Sequence, residues 1–307
     1  MERNYIYPTD CIPGMAEHIP DEAVDLIIAD PPYFKVVGEK WDYQWRTEED
    51  YVAWSASWFR EAARTLRLGG SFYLFGYFRI LSLLLPHLEA EGIRLRQQII
   101  VNKGIQAVSG RATKKYKMFP NVTESILFLY KDPKPFVRDL LRRLQRERGL
   151  TAKEINERLG VKSNGGGMWS IYTGDNVCEQ LPTPEYWEKL QTILEFTYPY
   201  DRLAITFNPQ MGYTDVWDDI NFYQEKDRIH PTQKPLDLIR RLVLASSRSG
   251  DLVMDPFMGS GSTAVVCRQT GRDFVGFELN QEYHGKSLDR LQKTDADPVP
   301  AAGNPKK

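Results

Sequence analysis

The chain predicts an α/β fold built on a mainly parallel sheet. Three observations carry that prediction. Val24–Ala29, Ser71–Phe75, Gln97–Val101 and Ser125–Tyr130 are β-branched and aromatic runs of strand length, separated by stretches of helical period. The alternation resumes towards the C-terminus, where helical Asp237–Ser246 precedes strand-like Leu252–Met254 and Phe274–Phe277. With 307 residues, 42% hydrophobic and 26% charged, the chain can bury one large core or two smaller ones as an ordinary globular protein. A sheet covered by helices on both faces is the architecture that such an alternation builds.

Taken in order, the elements have local reasons. Glu48 to Leu66 spaces Tyr51, Trp54, Trp58, Ala62 and Leu66 by three and four, the stripe of an amphipathic helix, which is expected to stop at Gly69-Gly70. Those aromatics read as core. Asp132-Pro133-Lys134-Pro135 then breaks the pattern, and a charged helical stretch from Val137 to Leu159 opens a second unit. Tyr198 to Asn208 reads as the returning connection. The Pro-, Ala-, Gly- and Lys-loaded tail from Thr294 to Lys307 is expected to be disordered, and no internal repeat is visible.

Several function classes are excluded. The longest apolar run, Ile80 to Leu85, is far too short to span a bilayer, and Met1 to Tyr5 lacks the plan of a signal peptide, so a cytoplasmic protein with no membrane partner is expected. Cys11, Cys178 and Cys267 are odd in number and far apart, and the 4 histidines have no ligand spacing, so neither a disulfide framework nor a metal site is expected. The net charge of −1 hides an asymmetry: Arg94, Arg96, Lys103, Arg111, Lys114, Lys115 and Lys117 fall in one segment without an acid. That segment suits a polyanion or, more plainly, a solvated basic loop.

Two short motifs carry chemistry. Val253 to Ala264 reads strand, Gly-rich turn, helix start, with glycines that let backbone approach a ligand and a helix N-terminus that favours negative charge. Alone it also fits the dinucleotide pattern G-x-G-x-x-A, with Glu278 ending the next strand where ribose hydroxyls would be held, so a nicotinamide enzyme is a rival reading. A phosphate-cradling P-loop is excluded because no Gly-Lys-Ser/Thr follows. The second motif is Asp30-Pro31-Pro32-Tyr33, at the carboxyl end of a strand where open α/β sheets place ligands. An acid, a proline-fixed carbonyl and a tyrosine together form a receptor for a planar ring bearing an exocyclic amine. A structural turn is the alternative for that motif in isolation.

Together the two motifs resemble the DNA amino-methyltransferases, in which F-x-G-x-G (here Phe257, Gly259, Gly261) binds S-adenosylmethionine and D-P-P-Y (Asp30 to Tyr33) is catalytic. Catalytic motif first and cofactor motif last is the order of the family's β group, and His230-Pro231-Thr232-Gln233-Lys234-Pro235 looks like that group's element at the methionine end of the cofactor. The resemblance covers most of residues 1–135 and 199–290. It implies a Rossmann-like, circularly permuted, seven-stranded sheet. In it Leu252–Met254, Phe274–Phe277, Tyr5–Tyr7 and Val24–Ala29 are the first four strands, and the last, Ser125–Tyr130, is antiparallel. It further implies a catalytic domain of residues 1–135 with 199–293, and a target-recognition insert over 136–198.

Site residues follow from the same resemblance. Asp255 to Gly261, Ser260 included, would line the methionine moiety with Thr232 and Lys234, Glu278 would take the ribose hydroxyls, and Asp10-Cys11 would meet the adenine edge. For Asp10 and Glu278 a strand-end acid capping a loop is the plain alternative, and for Lys234 a surface charge. Asp30 and the Pro31 carbonyl would accept the two N–H bonds of the target amine while Tyr33 stacks on its ring, and the loop Lys35 to Trp45 could close over it. D-P-P-Y in place of S-P-P-Y implies N6 of adenine as the target, with N4 of cytosine as the alternative. The insert contains a capping box, Thr151 with Glu154, and apolar Leu150, Ile155, Leu159 and Val161 at helix-turn-helix spacing. Glycines 165–167 would delay its second helix to about Met168–Tyr172, and Lys162, Ser163, Asn164, Trp169 and Ser170 are the expected base contacts. Lys103, Arg111, Lys114, Lys115 and Lys117 would touch phosphate. The expected activity is thus site-specific methylation of double-stranded DNA. A helix-turn-helix regulator with an inactive methyltransferase body is the competing class, and a homodimer and a cognate restriction endonuclease are left open as partners.

Overall fold

The computed structural model describes residues 1–34, 43–108, 119–161, 167–222, 228–230 and 232–296. Two compact units emerge, Met1–Lys131 with Ile205–Lys307, and Asp132–Ala204.

The first unit is built on a sheet of 8 strands. They are β1 (Tyr5–Tyr7), β2 (Val24–Ala29), β3 (Leu66–Gly76), β4 (Ile93–Asn102), β5 (Thr123–Lys131), β6 (Val216–Trp217), β7 (Leu252–Asp255) and β8 (Asp273–Phe277). They lie side by side in the order β1-β8-β7-β2-β3-β5-β4-β6. β5 runs antiparallel to both its neighbours and every other pairing is parallel. All seven segments expected as strands from the sequence are strands here, and the one expected to be antiparallel, β5, is so. The expectation of seven strands is corrected by β6, a two-residue edge strand on β4.

Alternating side chains of the strands feed two cores. Val24, Ile27 and Ala29 of β2 join one core with Met15 of α1 (Cys11–His18), Trp58 of α2 (Glu48–Thr65) and Leu84 of α3 (Phe78–Ala90). Leu26 and Ile28 join the other with Leu242 of α8 (Leu236–Ser246) and Val265 of α9 (Ser262–Thr270). Each wholly buried Trp, Leu or Ile of this kind contributes about 1.5–3 kcal/mol of transfer free energy. Helix α2 starts at a capping box formed by Thr47 and Asp50. It ends at Thr65, before the expected Gly69-Gly70, because those glycines serve β3. Pairing with β2 shifts register between Val24–Leu66 and Leu26–Ser71, and Gly69, at φ +70°, lies in the bulged segment. At the C-terminus α10 (Gln281–Ala296) extends past Thr294, so the first residues of the expected disordered tail are helical, and the rest lie outside the described residues.

The second unit is helical: α4 (Lys134–Arg148), α5 (Ala152–Leu159), α6 (Gly167–Tyr172) and α7 (Pro184–Leu194). Gly149, at φ +61°, ends α4, and the expected capping box of Thr151 and Glu154 opens α5. α5 packs on α6 and α7, and α4 packs on both as well. Trp169 and Trp187 are buried in this packing. Trp169 is therefore corrected from base contact to core: only 2% of its surface is exposed, and its backbone N–H donates to the Asn156 side chain at 3.0 Å. Lys162, Ser163 and Asn164 lie outside the described residues. No described helix is long and apolar enough to cross a membrane.

Candidate active site

The loops at the carboxyl ends of β2, β7 and β8 border a cavity of about 470 Å³ in the first unit. Open α/β sheets bind ligands at this end of their strands. Asp30, Pro31, Pro32 and Tyr33 line it from the loop after β2. Asp255, Phe257, Gly259 and Ser260 line it from the turn after β7, Glu278 from the end of β8, Asp10 and Cys11 from the start of α1, and Thr232 and Lys234 from the approach to α8. The fold thus gathers both sequence motifs, from opposite parts of the chain, around one space.

On the Gly-rich side the turn is held from beneath. Gly261 caps α9 at φ +76°, and a Cβ there would stand 3.1 Å from the Ser287 Cβ. Gly259, at φ +51°, donates its N–H to Glu278 Oε2 at 2.7 Å, while Glu278 Oε1 accepts from the Asn280 N–H at 2.8 Å. Glu278 therefore fastens the turn, and burial holds its carboxyl above the usual range. Phe257 packs edge-on against Trp58, ring centroids 5.1 Å apart. Asp255 accepts the Phe257 N–H at 3.0 Å and the Thr263 hydroxyl at 2.6 Å. Burial pushes its carboxyl up to about 7, and the charges of Asp30 and Glu278 add to the rise. Asp10 accepts the Ile12 N–H at 2.8 Å and so caps α1, the structural role weighed for it above. Cys11 is buried beside it, its thiol pushed up by burial. Thr232 turns its N–H and hydroxyl to His230 Nδ1, at 3.2 and 3.0 Å, and burial pushes that imidazole down to about 4.

On the Asp30 side lies a cluster of ionisable groups. Lys234 Nζ donates to Asp30 Oδ2 at 2.6 Å and lies 3.1 Å from Glu124 Oε1. Its side chain is only 8% exposed, which corrects the reading of Lys234 as a surface charge. The Tyr33 hydroxyl stands 2.8 Å from Asp30 Oδ1 and 2.6 Å from Glu124 Oε1. A phenol has one hydrogen and donates to one of the two carboxylates at a time. The ring of Tyr33 meets Tyr77 edge-on at 5.4 Å. Burial raises Asp30; Lys234 opposes the rise, Glu124 adds to it, and the net displacement is upward. Glu124 ends below its usual range, since Lys234 and Lys103 outweigh burial there. Lys234 is raised, because its two carboxylates outweigh burial, and the Tyr33 phenol stays protonated far above neutrality.

Lys103 differs from its expected place on DNA phosphate. Its ammonium lies 3.8 Å from Glu124 Oε2, with 19% of the side chain exposed, so it backs the buried cluster. Arg111, Lys114, Lys115 and Lys117 lie outside the described residues, as does most of the Lys35–Trp45 loop. Glu124 was not among the residues singled out in the sequence. The available signal was an acid in the strand run T-E-S-I-L-F-L-Y, where an uncompensated charge would be costly to bury. No group of three or more metal-ligating side chains occurs among the described residues.

The DNA methylase family model (N6_N4_Mtase) matches residues 24–288. DNA adenine methyltransferase YhdJ of Escherichia coli (strain K12) is 27% identical over 278 residues, spanning 89% of this chain and 78% of that protein. Type II methyltransferase M.HinfI of Haemophilus influenzae is 25% identical over 309 residues, covering 96% of this chain and 70% of its own. Among solved structures, the M1.HpyAVI–SAM complex superposes with a TM-score of 0.55 at 20% identity, covering 93% of this chain and 98% of its own.

Proposed function

The chain belongs to the DNA methylase family, and from that premise we propose that it transfers the methyl group of S-adenosylmethionine to the N6 amine of an adenine flipped out of double-stranded DNA. The observation that carries the reading is the shared cavity, which sets the Asp30–Tyr33 turn and the Gly259–Gly261 turn against one space. The Gly-rich side fits the cofactor: a backbone bent to positive φ leaves room for close approach, and Glu278 keeps lone pairs for hydroxyls after fastening Gly259. S-adenosylmethionine supplies a methyl group already activated by its sulfonium. The chain's task is to present the amine.

An adenine amine is a poor nucleophile because its lone pair is delocalised into the ring. Asp30 and the Pro31 carbonyl accept its two N–H bonds and turn the lone pair out of conjugation. As the nitrogen lone pair takes the methyl group that bound S-adenosylmethionine would supply, leaving the C–S pair on sulfur, Asp30 would take the proton displaced from nitrogen. Orientation of this kind lowers barriers by about 7–11 kcal/mol in favourable cases, and the carboxylate adds electrostatic stabilisation of the charge growing on nitrogen. Extruding the base costs a few kcal/mol. The face of Tyr33 offsets part of it by stacking, while its hydroxyl is tied to the cluster.

The helical unit Asp132–Ala204 supplies target recognition in this reading, and the basic segment Arg111–Lys117 supplies phosphate contacts. Adenine is favoured over cytosine by D-P-P-Y and by the likeness to YhdJ, whose name states adenine. The likeness to the type II enzyme M.HinfI favours a cognate restriction endonuclease as a second partner. The test is transfer of labelled methyl from S-adenosylmethionine to unmethylated double-stranded DNA by the purified chain, with nucleoside analysis of the product. N6-methyladenine, absent with Asp30→Ala, is expected. N4-methylcytosine would replace the base assignment, and no transfer to any DNA would overturn the function.

A further inference from the structure

Two carboxylates, Asp30 and Glu124, share the ammonium of Lys234 and the phenol of Tyr33, and they are not equivalent. Asp30 lines the cavity, whereas Glu124 is 4% exposed and does not line it. Glu124 nevertheless makes the shorter contact with the Tyr33 hydroxyl, 2.6 Å against 2.8 Å for Asp30. It also faces two ammoniums, Lys234 at 3.1 Å and Lys103 at 3.8 Å, whereas among the described residues Asp30 pairs with one, Lys234. We propose that Glu124 is the fixed negative partner of Lys234 and the acceptor of the Tyr33 hydroxyl hydrogen, which leaves Asp30 free to exchange its lysine for the target amine. This inference rests on the methyltransferase reading above. Glu124 acts through Lys234 and Tyr33, so it is a positioning residue.

The physical case is a problem of exchange. Asp30 in the structure is bound to Lys234 at 2.6 Å, a short charge-assisted hydrogen bond. Its oxygens keep further lone pairs, but it binds an N–H of the base most strongly when the ammonium that draws on its charge moves off, and a buried ammonium left without a partner is strongly disfavoured. Glu124 removes the difficulty, because Lys234 already lies against a second carboxylate. The Tyr33 hydrogen poses the same problem: aimed at Asp30 it would compete with the amine for that carboxylate's charge, and aimed at Glu124 it does not. The opposite displacements of the two acids agree, Asp30 towards proton affinity and Glu124 towards permanent charge. Pairs of acids driven apart in this way divide the roles of base and fixed charge between them. Among the described residues, the charged and titratable groups facing Asp30 are Lys234 from the approach to α8, Glu124 from β5, Tyr33 from its own loop and Asp255 from β7, with Lys103 behind Glu124.

The test is the pH–rate profile of DNA methylation by the full-length chain, its Glu124→Gln variant and its Lys103→Met variant. Glutamine keeps the shape and removes the charge. Lys234 then pairs with Asp30 alone, so kcat should fall about 10- to 100-fold, while KM for DNA stays within about threefold because Glu124 touches no substrate. The acid limb, which reports ionisation of Asp30, should move down by about one pH unit, since a neighbouring negative charge has been removed. Lys103→Met should move the limb the other way, because a carboxylate that must stay charged has lost a cation; this variant also decides the question should Glu124→Gln fail to fold by circular dichroism. A limb unmoved in the folded variants, or a Glu124→Gln kcat within twofold of the parent, overturns the inference while leaving the methyltransferase reading intact. No transfer by the parent chain overturns both.

Discussion

Asp255 offers a quantitative test of the cavity's electrostatics. It is 5% exposed and its carboxyl is pushed up from 3.8 to about 7, mainly by burial. A group whose proton affinity rises on folding stabilises the fold fully below its unfolded pKa, and that stability is lost as pH climbs through the folded pKa. The window here runs from 3.8 to about 7. Relative to a neutral side chain, the buried acid costs about 2 kcal/mol at about pH 5 and about 4 kcal/mol at about pH 8. Asp255→Asn removes the ionisation, retains an acceptor for the Phe257 N–H, and leaves Thr263 to reverse its hydrogen bond. Any loss in that hydrogen bond is the same at both pH values. Urea unfolding of both proteins without cofactor should therefore show the variant gaining about 2–3 kcal/mol on the parent between about pH 5 and about pH 8. His230, pushed down to about 4, acts in the opposite sense: its contribution is present above the unfolded value of 6.5 and lost as pH falls towards about 4. It is common to both proteins and cancels in the difference. An equal pH response in parent and variant would refute the assignment of a buried, proton-holding carboxyl at this position.

Three further outcomes are expected. Lys234→Met should destabilise the fold by about 3–5 kcal/mol near neutral pH, because it leaves Asp30 and Glu124 without their shared ammonium, and the loss should shrink in acid as the carboxyls protonate; urea unfolding at two pH values checks it. Gly261→Ala, at φ +76° with Ser287 3.1 Å away, should cost about 1–3 kcal/mol and weaken S-adenosylmethionine binding in calorimetry. Trp169→Ala should cost about 3–5 kcal/mol and show as loss of helical circular dichroism, whereas a base-contacting tryptophan would have weakened DNA binding without affecting stability.

What was legible in the sequence follows from which residues act locally. Helix α2 is written in its own apolar spacing and capping box, and β2 in the apolar stretch Leu26–Ala29 that ends at Asp30. The order of the strands came from the resemblance of two motifs. Trp169 was misplaced because an aromatic after a Gly-rich segment suits a groove-reading helix as well as a core, and only the packing of α5 on α6 separates the two. Helix α2 was overrun because Gly69-Gly70 suits a helix stop and a β-bulge equally, and pairing with β2 settles it. Lys234 was placed at the site by its motif, and its ion partners, Asp30 and Glu124, were not legible because they are remote in sequence.

Glu124 was passed over, despite its acid in an apolar strand run, for a reason rooted in topology. In a parallel sheet the ligand end is where strands finish, so a search for functional acids looks after the last apolar residue, as it does for Asp30. β5 is reversed: its register sets Ser125 against Gly76 and Tyr130 against Ser71, so its beginning stands beside the end of β3. β2 pairs in parallel with β3, Ala29 against Leu74, which carries Asp30 to the same edge. β4 is antiparallel to β5, with Asn102 against Thr123, so Lys103 arrives there too. One reversed strand therefore brings the start of β5 and the ends of β2 and β4 to a single rim. An acid one residue into a reversed strand occupies the site that an acid one residue past a forward strand would. In sheets with such a strand, a lone carboxylate near its first residue is as strong a candidate for the site as one that follows a parallel strand.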